Sequence, residues 1–364
     1  MKYIYQQKAW PNFSWNSEEL QFLLGNVRAL QGRLAGKLEA LGFPVKEEAI
    51  LSTLSMDILK SNEIEGELLS DTQVRSSVAR RLGMNVAGMV PSTRNIDGVV
   101  DMMVDATQNC NKPLSKERLF KWHRYLFSNS KVDASLRRGK WRNDKSGPML
   151  VLSGAMGRER IHFQAPGAIA LENEMRVFLN WFNEAKQLDP VLKAGVAHLW
   201  FVTLHPFDDG NGRIARAIAD MCLSRGDEQH QRYYSMSAQI MQERKVYYQT
   251  LENTQKGNLD ISDWLQWFIA CVDRALSASD DLLSSVLFKA DFWKNHQHTQ
   301  LNDRQKKVLN KMLDHFDGNL NTSKWAKMNK CSADTALRDI QDLLDKKVLK
   351  KNEGGGRNTS YVLG

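Results

Sequence analysis

The sequence contains few cysteines and no long apolar segment. The four cysteines lie far apart among 364 residues, and none stands in a CxxC or Cys/His spacing. This argues against a local zinc site and fits a reducing compartment. No run of about 18 apolar residues occurs, and the N-terminal stretch MKYIYQQKAWPNFSW has no apolar signal-peptide core. These absences predict a cytoplasmic protein without a membrane segment.

The composition is that of a globular chain with room for a buried site. Hydrophobic residues make up 42% and charged residues 25%, enough for two or three domains. The net charge of +8 is uneven, because 13 Lys and Arg face 8 Asp and Glu from residue 301 onward. This C-terminal tail alone carries +5, which indicates a separate basic module.

Apolar residues recur at three- and four-residue intervals along most of the chain, which predicts a mainly α-helical fold. Ser17 is a candidate cap of the first helix. Helices are expected over residues 17–41, 46–67, 96–109, 115–127, 170–183, 189–204, 212–224, 241–256 and 262–287. Two short β-type runs, 149–152 and 160–163, are separated by glycine-containing residues and closed by Pro166. They predict a hairpin within a helical protein.

The tail has the element order of a winged helix-turn-helix. Helices are expected over 302–316, 321–329 and 332–347, the last capped by Ser332, followed by two strands around a glycine-rich turn. The third helix is a poor surface for phosphates, and the wing is more basic. The helix carries Asp334, Asp339 and Asp342 against Arg338, and the wing carries Lys350, Lys351 and Arg357. DNA binding and protein contact or dimerisation both stay open, with the acidic helix favouring the second.

The segment HPFDDGNGRIAR, residues 205–216, follows the apolar run AHLWFVTL. Gly210 and Gly212 permit a tight turn into a new helix, whose first N–H groups attract phosphate. Asn211 can add a side-chain donor. Arg213 and Arg216 are three residues apart, so they share one helix face and can bind the outer phosphates. The segment predicts a site for several phosphates.

Two further residues of this segment supply acid–base and metal chemistry. Asp209, next to the glycine turn, is the better candidate for Mg²⁺, which takes one or two carboxylates plus phosphate oxygens. His205 titrates near neutral pH and is placed to take a proton from a hydroxyl. Each feature alone is ordinary, since His-Pro ends many helices and GNG is a common turn. Their co-occurrence favours phosphoryl or nucleotidyl transfer from a nucleotide.

At these residues the sequence resembles the Fic family, whose motif is HPFx(D/E)GNGRxxR. The match holds at every fixed position: His205, Pro206, Phe207, Asp209, Gly210, Asn211, Gly212, Arg213 and Arg216. The resemblance implies a Fic-type helical core that transfers AMP from ATP to a Ser, Thr or Tyr hydroxyl of target proteins and of itself, releasing pyrophosphate. It makes His205 the base, places Mg²⁺ on Asp209, and leaves the other motif residues around the phosphates.

The resemblance also implies functions for the hairpin and for two tyrosines of the central region. The hairpin stands where Fic proteins carry a flap that aligns the target segment by main-chain pairing, although it could also only cover the core. The pair Tyr247 and Tyr248 resembles tyrosines near the adenosine pocket, although both could be core aromatics. Gln255 stands where some relatives have an adenine-contacting Asn, so that contact is doubtful.

The segment SNEIEG, residues 61–66, matches the inhibitory pattern (S/T)xxxE(G/N) of self-inhibited Fic proteins through Ser61, Glu65 and Gly66. A carboxylate of Glu65 paired with Arg216 would take the place of the γ-phosphate and misalign the α-phosphate. Because a tenfold change in rate needs only about 1.4 kcal/mol, one ion pair could repress strongly. Relief would require withdrawal of the N-terminal helix, for example through a change in a homodimer.

The resemblance extends over nearly the whole chain and divides it into three regions. These are an N-terminal helical region with the inhibitory helix (1–100), a Fic catalytic domain (101–288) and a winged helix-turn-helix domain (289–364). The rival interpretations are a nucleotide-sensing transcriptional regulator and a Fic enzyme that uses another nucleotide donor. Removal of AMP, with Glu65 orienting water, is also permitted by the sequence.

Overall fold

The computed structural model describes residues 3–39, 43–86, 88–128, 136–154, 158–226, 232–314, 316, 318–352 and 359–364. Within them the chain is mainly α-helical, as predicted. The helices are α1 (Ser17–Glu39), α2 (Phe43–Ile64), α3 (Asp71–Arg81), α4 (Arg94–Gln108), α5 (Lys116–Leu126), α6 (Leu171–Glu184), α7 (Pro190–Leu204), α8 (Asn211–Gly226), α9 (Met236–Gln242), α10 (Arg244–Gln255), α11 (Ser262–Asn295), α12 (Asp303–Leu313), α13 (Thr322–Asn329) and α14 (Ala333–Asp345). The strands are β1 (Leu150–Ser153), β2 (Arg160–Gln164), β3 (Leu349–Lys351) and β4 (Tyr361–Leu363).

Helices α7 and α8 form the centre of the larger apolar core. Helix α7 is buried along nearly its whole length because its sequence is apolar on every face. It begins at a strong signal: the Asp189 carboxylate accepts hydrogen bonds from the Val191 and Leu192 amides, and Pro190 occupies the first turn. Helix α8 packs against α7 and is also mostly buried. The loop between these two helices is therefore held on both sides by packed helices.

The N-terminal helices cover this core from one side. Helix α1 buries Leu20, Val27, Leu34 and Leu38 and lies against α11, whereas α2 lies against α3, α9 and α11 and ends next to the start of α8. Ser17 is the first helical residue and not the cap, because Asn16 Oδ1 accepts the Glu18 amide at 3.2 Å. Residues 40 and 41 of the predicted first helix lie outside the described residues.

The hairpin and the tail complete the fold. Strands β1 and β2 pair antiparallel, with Val151 opposite Phe163 and an irregular register before Leu152. In the tail, α12, α13, α14 and the β3–β4 pair follow the order predicted for a winged helix-turn-helix, and Ser332 caps α14 by accepting the Thr335 amide. A second apolar core with Trp325 at its centre holds these elements together.

The helices differ from the sequence prediction most clearly in three places. Helix α3 was not expected, since its only buried apolar residues are Val74, Val78 and Ala79 in an otherwise polar segment. The helix predicted over 241–256 is divided at Glu243 into α9 and α10. Helix α11 continues eight residues past 287, because Phe292 near its end packs into the core of the tail. Among the described residues, no helix is both long and apolar enough to cross a bilayer.

Candidate active site

His205 lies at the end of α7 in a left-handed conformation, with φ 49° and ψ 56°. Its amide donates to the Phe201 carbonyl at 3.0 Å, and its Nδ1 lies 3.2 Å from the Val202 carbonyl oxygen. An Nδ1–H that donates to this carbonyl leaves Nε2 as the basic nitrogen. Burial lowers the pKa of His205, which the nearby Arg142 also lowers, so the imidazole is neutral at pH 7. A neutral imidazole can accept a proton.

Asn211 and the two glycines shape the turn that follows His205. The Asn211 side chain bonds the Phe207 backbone twice, accepting from its amide at 2.9 Å and donating to its carbonyl at 2.8 Å. Its amide therefore holds the loop, and its expected contact with phosphate stays a prediction. Gly210 has φ +78°, where a side chain would be strained and would press on Phe127. Helix α8 then starts at Asn211, with its N-terminus facing the site.

Both motif arginines are buried and reach the end of α2. The Arg216 Nε donates to Ser61 Oγ at 2.9 Å, and its Nη2 donates to the Ser61 carbonyl at 2.8 Å and to Glu65 Oε1 at 2.7 Å. The Arg213 Nη1 donates to Glu67 Oε2 at 2.8 Å. Its guanidinium also lies over the Phe127 ring, 5.3 Å from the centroid. The predicted pair of Glu65 with Arg216 is thus formed, and Glu67 adds an ion pair that the sequence interpretation missed.

The turn after α2 brings Glu65 to the start of α8. The Glu65 and Glu67 amides both donate to the Asn62 carbonyl, and Gly66 adopts φ +84°, which favours glycine. A Cβ on Gly212 would lie only 2.3 Å from Glu65 Oε1, so the carboxylate approaches the helix start as closely as a glycine allows. Burial raises the pKa of Glu65, but Arg216 and then Arg213 outweigh burial and lower it overall. Glu65 is therefore an anion at the expected phosphate position.

The two adjacent carboxylates of the motif face different surroundings. Asp208 Oδ2 accepts the Arg137 amide at 2.9 Å, whereas the Asp209 side chain is 63% exposed and 3.9 Å from Arg213 Nη2. Within the described residues, no group of three or more His, Cys, Asp or Glu side chains is arranged to hold a metal ion. Asp209 can therefore supply a single carboxylate ligand to a metal ion that also binds phosphate oxygens.

The predicted adenosine residues separate into a buried and an exposed side chain. Tyr247 is buried, with its hydroxyl 2.9 Å from His198 Nε2 and its ring 5.4 Å from that of Trp267. Tyr248 is 39% exposed beneath the Arg244 guanidinium, and it lies close enough to Glu65 for the two to interact electrostatically. Tyr248 is thus the better placed of the two for a ligand. Gln255 is buried and donates to Thr203 Oγ1 at 3.2 Å.

The hairpin is attached to α10 by charged side chains. Glu252 Oε2 lies 2.6 Å from His162 Nδ1, and Oε1 accepts from Arg160 at 3.1 Å and from Lys256 at 2.5 Å. Burial opposes but does not cancel these contacts, which lower the pKa of Glu252 to about 2. The predicted hairpin is therefore held against the body of the protein beside the site.

Sequence reasoning also missed His123 and Arg142. His123 is buried and stacks on Phe207 at 4.3 Å, and its Nδ1 accepts the Gly139 amide at 2.9 Å. Burial lowers the pKa of His123 to about 4, so the ring is neutral packing for the motif phenylalanine. Arg142 bonds the loop at His205 from the other side. Neither residue belongs to a local motif, because each reaches the site from a distant part of the chain.

Comparison with known families agrees with the motif at His205 to Arg216. Residues 113–223 match the family model described as Fic/DOC family, so the chain carries the domain that its motif predicted. Residues 3–84 match a second family model, described as Domain of unknown function (DUF4172).

Relatives with curated names cover the same central part of the chain. A protein adenylyltransferase Fic of Nematostella vectensis is 27% identical over 142 residues, which are 38% of this chain and 31% of that protein. A protein adenylyltransferase Fic of Drosophila grimshawi is 33% identical over 127 residues, or 33% of this chain and 24% of that protein. The chain thus spans less than a third of the length of these two relatives.

A solved structure is similar over nearly the full length. The crystal structure of a Fic family protein from Desulfovibrio desulfuricans G20 superimposes with a TM-score of 0.53 at 18% sequence identity. The likeness covers 96% of this chain and 97% of that chain. At this identity it shows the shared fold.

Proposed function

We propose that this protein is a self-inhibited Fic-type adenylyltransferase that transfers AMP from ATP to a Ser, Thr or Tyr hydroxyl of target proteins and of itself. The names of the curated relatives support the reaction class. The observation that carries the proposal is the Glu65 carboxylate at the start of α8, 2.7 Å from Arg216 Nη2. An anion held at a helix N-terminus by a buried arginine marks a site built for phosphate.

His205 acts as the general base. Its neutral Nε2 takes the proton of the target hydroxyl while the hydroxyl oxygen attacks the α-phosphorus of ATP. A bond forms between that oxygen and the α-phosphorus, and the bond to the bridging oxygen of the β-phosphate breaks. Pyrophosphate leaves with the bonding electrons, and AMP stays on the target. The lowered pKa keeps His205 unprotonated under neutral conditions, as a base requires.

The start of α8 and its two arginines bind the phosphates. The N–H groups at Gly212 and the helix dipole stabilise the negative charge that develops during transfer. Arg213 and Arg216 hold the outer phosphates once their present partners Glu67 and Glu65 yield. Glu65 competes directly with the γ-phosphate for Arg216, so ATP can enter only with its chain of phosphates displaced. The resting enzyme is therefore slow.

Asp209 is the residue that would hold Mg²⁺. Each of the two carboxylates accepts one backbone amide, from Gly210 at Asp209 and from Arg137 at Asp208, but Asp209 is the exposed one next to the proposed phosphate site, and this fits a metal that arrives with the nucleotide. Bound there, Mg²⁺ would neutralise charge on the phosphate oxygens.

The target segment docks along the hairpin. Leu152 and Ile161 are paired across the two strands and are about half exposed, so they offer an apolar surface beside an open strand edge. Main-chain pairing to a strand edge tolerates many sequences, so the hairpin positions a hydroxyl without specifying the protein.

The winged-helix tail contacts protein in this proposal, and DNA is the alternative. Leu337 on α14 is 52% exposed beside Asp334 and Arg338, which is not a phosphate-binding surface. Arg357 of the wing lies outside the described residues. Retention on duplex DNA at low salt, lost steeply as salt rises, would favour DNA; no retention would leave protein contact.

The first experiment follows transfer of label from α-³²P-ATP with Mg²⁺ to the protein itself and to lysate proteins. It compares the native chain, Glu65→Gly, and Glu65→Gly combined with His205→Ala. We expect Glu65→Gly to label much more strongly than the native chain and the double variant to lose about 100-fold or more. The proposal fails if Glu65→Gly transfers no label from ATP; a panel of other α-labelled nucleoside triphosphates then tests whether a different donor is used.

A further inference from the structure

Arg142 donates hydrogen bonds to two consecutive backbone carbonyls, those of the proposed base His205 and of Pro206. Its Nε donates to the His205 carbonyl at 2.7 Å, and its own amide donates to the Pro206 carbonyl at 2.9 Å. His205 is one of the few residues other than glycine with positive φ among the described residues. Left-handed backbone is unfavourable for a residue other than glycine, so this turn needs support from its surroundings. Arg142 supplies that support.

The same guanidinium also contacts the two ends of the hairpin segment. Its Nη2 donates to the Pro166 carbonyl just after β2, and its Nη1 pairs with Asp144 Oδ1 at 2.8 Å before β1. Asp144 Oδ2 accepts the Ala168 amide, which joins the two ends of the hairpin segment. The distance between the proposed base and the target-docking strands is thus fixed through one side chain.

Burial makes these contacts specific to arginine. The Arg142 side chain is 1% exposed, so none of the three carbonyl and carboxylate contacts can be replaced by solvent without opening the site. Burial lowers the pKa of Arg142, and Asp144 opposes this shift. The planar fork of arginine reaches several acceptors at once, whereas lysine offers one ammonium group. The positive charge of Arg142 also contributes to the lowered pKa of His205.

We infer that Arg142 is a positioning residue that couples the hairpin to His205. It keeps the hydroxyl of a target segment docked on the hairpin within hydrogen-bonding distance of His205 Nε2. This inference rests on the proposed transfer reaction for its functional consequence. Its structural content, a hairpin and a base turn held by one guanidinium, can be measured without turnover. A displacement of about 1 Å between base and hydroxyl is enough to reduce transfer about 100-fold.

The test uses Arg142→Met and Arg142→Lys, each with Glu65→Gly. Arg118→Met in the same background is the matched control, since the Arg118 side chain is only 10% exposed and clamps a carboxylate, Asp105, together with backbone carbonyls, none of which belongs to the turn at His205. Four readouts are compared: the transfer rate at saturating ATP, the ATP dissociation constant, the His205 pKa from NMR of labelled histidines, and amide exchange over residues 150–164.

Both Arg142 variants should transfer about 100-fold more slowly, with ATP affinity within about threefold of the parent and hairpin exchange about tenfold faster. Only Arg142→Met should raise the His205 pKa, because lysine keeps the charge while losing the geometry. Arg118→Met should leave all four readouts near the parent values. Transfer within about threefold of the parent, or hairpin exchange no faster than in Arg118→Met, overturns the inference. If the Glu65→Gly parent transfers nothing, the proposed function is wrong. Amide exchange in the hairpin and the His205 pKa would then still show whether Arg142 couples the hairpin to His205.

Discussion

Helix α2 is joined to the structure around α8 at two places that differ in burial. In its middle, Asp57 pairs with Arg232, which also pairs with Asp220 of α8, and these three side chains are 1%, 3% and 1% exposed. At its end, Glu65 and Glu67 pair with the buried Arg216 and Arg213, but the two carboxylates are 31% and 46% exposed.

We call the buried cluster of Asp57, Arg232 and Asp220 the anchor, and the more exposed pairs that Glu65 and Glu67 form with the two arginines the latch. A buried ionic group without its partner is costly, so the middle of α2 is fixed to the body of the protein. A half-exposed carboxylate can exchange its arginine for water, so the end of α2 can open locally. Glu65 can then leave Arg216 and the proposed phosphate site without withdrawal of the whole helix, which is a smaller change than the sequence alone led us to expect.

The largest effect is expected from removing the cation of the anchor. Arg232→Met leaves two buried carboxylates without a cation and should lower the free energy of unfolding by about 3–5 kcal/mol. Urea denaturation followed by circular dichroism measures this loss. A decrease below about 1 kcal/mol would mean that the anchor does not hold α2, and the comparison would collapse.

The latch should influence ligand binding more than stability. Glu65→Gly frees Arg216 for the γ-phosphate and should tighten ATP binding about tenfold or more, the size of one charge-assisted hydrogen bond. Binding of ADP, which lacks that phosphate, should change little. Glu63→Gly should change the binding of neither nucleotide, because among the described residues the Glu63 carboxylate pairs with Lys60 and not with Arg216. Calorimetric titration measures the dissociation constants of both nucleotides. If ADP binding tightens as much as ATP binding, Glu65 does not compete with the γ-phosphate for Arg216.

The anchor should also make stability depend on pH. Burial, opposed by Arg232 and reinforced by Asp57, raises the pKa of Asp220 to about 7. The folded state therefore binds a proton that the unfolded state releases near pH 4, so stability is greatest below that pH and falls as the pH rises through 7. Between pH 6 and 8 the free energy of unfolding should fall by about 1 kcal/mol. Asp220→Asn should flatten this part of the profile in parallel urea titrations, and an unchanged slope would refute the assignment.

The smallest effect is expected from the more exposed carboxylate of the latch. Glu67→Gln should change the free energy of unfolding by less than about 1 kcal/mol, and the difference should shrink as salt is raised. Denaturation at low and high salt checks both statements. A loss comparable to that of Arg232→Met would show that the end of α2 is anchored as firmly as its middle.

Much of the fold and the centre of the site could be predicted from the sequence. Helical periodicity located α4, α6 and α7 within a few residues, because their apolar residues repeat on one face or fill the whole helix. The segment from His205 to Arg216 is a local motif, so its turn and helix start follow from residue types alone. Helix α3 escaped, since three buried apolar residues do not make a periodic pattern.

The sequence by itself determined the helical class, the hairpin and the turn from His205 into α8, because these depend on spacing within short segments. Tertiary structure alone decided that Tyr247 is buried while Tyr248 is exposed, and that Arg142 holds the turn at His205. It also decided that α2 is anchored in its middle and latched at its end. The physical reason is that burial and pairing join residues that lie far apart in the chain, as in Asp57 and Arg232 at 175 positions, and no local pattern records such distances.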